Sequence, residues 1–164
     1  MTLYIGVIGE RECDARTRKV AEKVGQLIAQ SGAVLVCGGM GGVMEAASHG
    51  AMLAQGVVLG ILPGRSRKQA NPYLTLSVVT GMDEGRNIIL VRSCDAIIAI
   101  GGGYGTLSEI AFAHKLGVPV LGIDTWSLEK EGQIDKKIIQ VSDENDAVTA
   151  ALELAKKRKE NEPA

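Results

Sequence analysis

Two short glycine clusters are the residues most capable of chemistry in this chain. Gly38, Gly39, Gly41 and Gly42 follow the apolar run AVLVC (33–37), and Gly101, Gly102, Gly103 and Gly105 follow AIIAI (96–100). Each cluster stands where a buried strand should turn into a helix. The first N–H groups of a helix have no carbonyl partner and carry roughly half a positive charge. Glycine lets an anion approach those amides closely, so two such turns on one edge predict a phosphate cradle that needs no lysine. Tyr104 and Thr106 belong to the second turn, and the Thr106 hydroxyl is a further donor toward phosphate. The competing reading is that the glycines only permit tight turns and close helix–sheet packing. Familiar nucleotide motifs are absent: there is no Gly-Lys pair for a P-loop, and position 106 is threonine where GxGxxG needs glycine. The second strand ends in Cys37-Gly38 rather than in an acid for a ribose, which argues against NAD.

Two charged residues accompany the turns. Arg86 opens a helix on the same edge; a guanidinium there suits a phosphate through paired hydrogen bonds, or a leaving base, or else forms a surface ion pair with Asp83 or Glu84. Glu109 lies about one turn into the helix after the second cluster. There it either faces the ligand or closes a T-x-x-E capping box begun by Thr106. Met44 and Met82 read as packing residues beside the pocket, Met82 being counted with the ligand-binding positions. Asn71 and Tyr73 are candidate pocket residues. Arg65, Arg67 and Lys68 form either a solvated loop or a lid over an anion.

His49 and His114 have no ligand-spaced partner, so no metal is expected, and no lysine stands out for a cofactor Schiff base; no cofactor is predicted. The three cysteines (Cys13, Cys37 and Cys94) form no CxxC pair. With no signal peptide at Met1-Thr2-Leu3, reduced thiols and a cytoplasmic location are expected. No apolar run approaches a membrane span. A net charge of −1 argues against a nucleic-acid partner.

The elements that must position these residues are legible from the apolar runs. At 164 residues the chain is one domain's worth, and with 46% hydrophobic but only 3% aromatic residues its core must be aliphatic. Strands are predicted at 3–8, 33–37, 57–62, 76–79, 96–100, 118–123 and 138–141. Helices are predicted after Asp14, over 43–54, from a cap at Asp83 to 93, over 106–116 and over 143–157. Residues 64–75 and 124–137 read as loops. Strands that are continuously apolar, alternating with helices, predict an α/β fold. Its form is a single-domain, Rossmann-like, doubly wound parallel sheet of about six or seven strands with helices on both faces. The domain is expected over 1–157, with 158–164 as a disordered tail. Ligands of such sheets bind outside the carboxyl ends of the strands, where both glycine clusters fall.

The motifs GGMGGVMEAAS (38–48), GMDEGRN (81–87) and GGGYGTLSE (101–109) resemble those of the Lonely Guy (LOG) family, cytokinin-activating phosphoribohydrolases once labelled lysine decarboxylases. The family pattern is GGxxGxM, then an arginine, then PGGxGTxxE, and the resemblance covers about residues 3–123. It implies hydrolysis of the N-glycosidic bond of a nucleoside 5′-monophosphate, with Arg86 and Glu109 as the catalytic residues. It also implies a homodimer with sites near the subunit interface. Glycosidic cleavage passes through an oxocarbenium-like state that a carboxylate can stabilise while orienting water. Three features depart from the pattern: Gly101 replaces the proline, Asn87 replaces the lysine usual in plant enzymes, and the chain is shorter. NPY (71–73) and GVME look more like bacterial relatives, and the wider superfamily includes a non-hydrolytic molybdenum-cofactor carrier. A nucleotide- or pterin-binding carrier is therefore the alternative, and a nucleotide-sensing subunit a third reading.

The apolar residues around the helix after the second cluster (Ile110, Ala111, Phe112, Ala113 and Leu116) leave a face for a second subunit.

Overall fold

The computed structural model describes residues 1–161. Strand β1 (Tyr4–Gly9) is followed by α1 (Ala15–Gln30), β2 (Val34–Cys37), α2 (Val43–Leu53), β3 (Val58–Leu62) and β4 (Leu76–Val79). Then come α3 (Arg86–Arg92), β5 (Ala96–Ile100), α4 (Tyr104–Leu116) and β6 (Val120–Ile123). A hairpin of β7 (Leu128–Lys130) and β8 (Gln133–Asp135), strand β9 (Ile138–Gln140) and α5 (Glu144–Glu160) complete the chain.

Seven strands form one sheet in the order β4-β3-β2-β1-β5-β6-β9, and every pairing in it is parallel. The expected doubly wound sheet is therefore the one observed. The chain winds outward from β1 to β4, then returns to place β5 on the other side of β1. That reversal is the topological switch point, and it puts Gly9 opposite Ile100 at the carboxyl edge.

Alternate strand residues feed two cores. Ile5, Val7, Ile98 and Ile100 pack with α1, α2 and α5, whereas Ile8, Ile97 and Ala99 pack with α3 and α4. Burial on both faces explains why these strands read as unbroken apolar runs.

Four local differences from the sequence expectation have physical reasons. The expected 124–137 loop holds the β7–β8 hairpin, whose central residues Glu131 (φ 55°) and Gly132 (φ 77°) both take the left-handed conformation a tight hairpin turn requires. Asp83 does not cap a helix: at φ 47° it begins a short 3₁₀ turn, Asp83–Gly85, that leads into α3. α4 starts two residues early, at Tyr104, because Gly103 takes the N-cap position. α5 continues to Glu160, into the expected tail, where Lys159 donates to the Thr2 carbonyl at 2.7 Å and pairs with Asp95 at 3.4 Å. The rest of that tail, 162–164, lies outside the described residues.

Candidate functional site

A cleft of about 560 Å³ opens at the switch point, between the carboxyl ends of β1, β2 and β3 and the starts of α3 and α4. Arg86, the first residue of α3, lies in its wall and is 6% exposed. Its Nη1 donates to the Ile61 carbonyl at 2.7 Å, while its buried Nε has no partner among the described residues. Against Gly38 the guanidinium packs so closely that a Cβ there would overlap Nη1, so glycine at 38 makes room for Arg86. No ion pair joins Arg86 to Asp83 or Glu84 among the described residues, so the surface-pair reading does not hold.

Glu109, in the second turn of α4, is 7% exposed and lines the same cleft. Burial pushes its carboxyl up to about 7 against the opposing pull of the Arg86 cation. Burial likewise lowers the Arg86 guanidinium, and the Glu109 charge is the main influence holding it up. Desolvation thus outweighs the attraction between the two charges. The capping box does not form: Gly103 caps α4 without a side-chain bond, and Thr106 is buried against Gly102.

The two glycine turns differ more than their sequences suggest. In the second, the bond from Leu107 N–H to the Gly103 carbonyl (3.0 Å) begins the helix. The amides of Tyr104, Gly105 and Thr106 precede it and have no partner within the helix. At the first turn two amides already have partners within the protein. Val43 N–H donates to the Glu10 carbonyl at 2.9 Å, and Gly39 N–H to Cys37 Sγ at 3.3 Å. A Cβ at Gly42 would strike the Glu10–Arg11 backbone, so that glycine admits the β1–α1 turn rather than a ligand.

Of the residues singled out from sequence, Arg86, Glu109, Gly38, Gly103, Gly105, Thr106 and Met44 converge on the cleft. Gly39, Gly41, Gly42 and Gly102 are not among its lining residues, although Gly102 is bonded to one of them; Met82 (50% exposed) and Tyr104 (83% exposed) are also outside the lining. Tyr104 packs on Trp126 with ring centroids 5.7 Å apart. Asn71 is buried and ties its loop to the first turn through the Met40 carbonyl, and Tyr73 packs on His49, so neither lines the cleft. Arg67 is pinned to Ser77 on β4 through Nε and Nη2.

The lining residues that sequence reasoning missed include Glu10, Arg11, Gln69 and Asn87, whose Nδ2 donates to Ser108 Oγ at 3.1 Å. The signal for the first two was their position after β1, since the turn after the central strand of a doubly wound sheet must border the crevice. No group of three or more His, Cys, Asp or Glu able to hold a metal occurs among the described residues. Nor, among them, is any helix long and apolar enough to cross a membrane.

The fold defines a doubly wound α/β protein with a cleft at its switch point. Over residues 2–157 the chain belongs to the SLOG cluster4 family. A protein of Archaeoglobus fulgidus without a characterised function is 49% identical over 121 residues, covering 74% of this chain and 80% of that one. The cytokinin riboside 5′-monophosphate phosphoribohydrolase LOG of Oryza sativa subsp. japonica is 33% identical over 122 residues. That match covers 67% of this chain and half the length of the rice protein. Among solved structures, the molybdenum cofactor binding protein of Rippkaea orientalis superposes with a TM-score of 0.84 at 33% identity. That superposition covers 94% of this chain and 98% of the other.

Proposed function

We propose that this chain is a nucleoside 5′-monophosphate phosphoribohydrolase, of AMP or cytokinin riboside type, that releases a free base and ribose 5-phosphate. The observation that carries the reading is the buried Arg86–Glu109 pair facing one cleft beside the free amides of α4. The amides of Gly102, Gly105 and Thr106 and the Arg86 guanidinium hold the phosphate, fixing the ribose over Glu109. As the C1′–N bond breaks, its electron pair leaves with the base. The Glu109 carboxylate stabilises the cationic ribose and orients the water that adds hydroxide to C1′, while the water's second proton leaves to the base or solvent.

Incubation with AMP and chromatography of the products should show adenine and ribose 5-phosphate appearing together. Tight binding of AMP without adenine release would instead support a second reading, a non-catalytic carrier of a nucleotide or of the phosphorylated pterin of molybdenum cofactor. The near full-length superposition on the Rippkaea orientalis protein favours that alternative.

The proposal includes a homodimer in the cytoplasm. On edge strand β4, Leu76 (60% exposed) and Val78 (46% exposed) pair in register with Leu59 and Ile61 on the α3–α4 side of the sheet. An apolar strip on an edge strand suits burial by a second copy. Light scattering at micromolar concentration should give twice the chain mass of 17.2 kDa; a monomer would count against this part of the proposal.

A further inference from the structure

The glycine turn that leads into α4 already holds a carboxylate of the protein itself. Glu10 Oε1 accepts the Gly102 N–H at 3.1 Å across 92 residues of sequence. Its main-chain carbonyl meanwhile accepts from Val43 at the start of α2, so one residue joins both glycine turns. The main chain of Glu10 is fixed and its side chain exposed, so rotation of the side chain alone would free the Gly102 amide. A second observation comes from the wall of the same cleft, where Arg86, more than nine-tenths buried, has an Nε without a hydrogen-bond partner among the described residues.

We infer that Glu10 is a built-in competitor for the phosphate seat, a residue that sets the affinity of the cleft for phosphate monoesters. The inference rests on the proposed reading of the cleft as a phosphate site. A carboxylate and a phosphate cannot share one amide: like charges at contact distance repel, and Gly102 offers one proton. Phosphate binding therefore requires Glu10 to swing out. Its return after reaction replaces the bond between Gly102 and the phosphate and helps the product leave. Selection follows from the same geometry, because a ligand without an anion need not displace Glu10.

Calorimetric titration with ribose 5-phosphate, inorganic phosphate and uncharged ribose tests this in wild type, Glu10→Ala and Glu10→Gln. Glu10→Ala should bind ribose 5-phosphate roughly tenfold more tightly, the scale of one hydrogen bond to a charged group. Glu10→Gln, with a neutral oxygen on the same amide, should fall between, and ribose should be unchanged. In the free proteins the Gly102 amide resonance should move on Glu10→Gln. Equal or weaker ribose 5-phosphate binding by Glu10→Ala, an equal gain for ribose, or an unmoved Gly102 signal would overturn the role of Glu10 alone. Failure of all three proteins to bind either phosphate would overturn the phosphate reading of the cleft, and this inference with it.

Discussion

Glu109→Gln should lower base release from AMP by roughly 10²–10⁴-fold while AMP still binds within a few-fold of wild type. The substitution keeps the shape of the side chain and its place in α4 but removes the charge that would face the cationic ribose. The same variant should be the more stable protein above neutrality. A carboxyl raised from its ordinary 4.5 to about 7 binds its proton more tightly in the folded chain than in the unfolded one. Glu109 therefore contributes stability that is complete below pH 4.5 and is lost as pH rises through about 7. The loss is on the order of 3 kcal/mol once the group is fully ionised. Glutamine does not titrate, so melting curves of the two proteins should converge near pH 4.5 and separate by several degrees at pH 8. Base release by wild type should rise with pH through the same ionisation, because the proposed working form is the carboxylate. Turnover that survives Glu109→Gln would remove Glu109 from the chemistry. A rate that falls as pH rises through 7 would reassign it as a proton donor to the leaving base.

What the sequence disclosed follows from which constraints are local. Runs such as AIIAI mark strands because burial on both faces removes polar alternation, and Asp14 marks the start of α1 because its cap bond spans only three residues, to Thr17 N–H. The Arg86–Glu109 pair was legible as two motif residues, but its burial was not, since a capping box or a surface ion pair would carry the same letters. The bond between Glu10 and Gly102 was invisible for a stronger reason. Beside a glycine in a turn, a glutamate reads as solvated surface. Only the parallel register that sets Gly9 against Ile100 brings it to Gly102. Likewise, the first glycine cluster looked equivalent to the second until the β1–α1 turn was seen to occupy the space above Gly42.

Arg86 offers the complementary test, because its cation acts on the ligand and on Glu109 together. Arg86→Gln should weaken ribose 5-phosphate binding by roughly 10–100-fold, the range for losing charge-assisted bonds to one phosphate. It should also move the pH dependence in a known direction. The Arg86 charge is the influence that lowers the Glu109 carboxyl against the larger effect of burial. Removing it must raise that carboxyl further, so the rise of residual base release, and the loss of stability with pH, should both shift to higher pH. Arg86→Lys separates the two roles. A lysine keeps a positive charge near Glu109 but lacks the planar fork that reaches the Ile61 carbonyl while presenting a second edge to a ligand. It should therefore keep the pH profile closer to wild type than Arg86→Gln does, yet bind ribose 5-phosphate nearly as poorly. If both variants bind the phosphate normally and only the pH profile moves, Arg86 serves Glu109 and the phosphate rests on the α4 amides alone. If neither quantity changes, the pair is structural, and the hydrolytic reading loses the observation on which it stands.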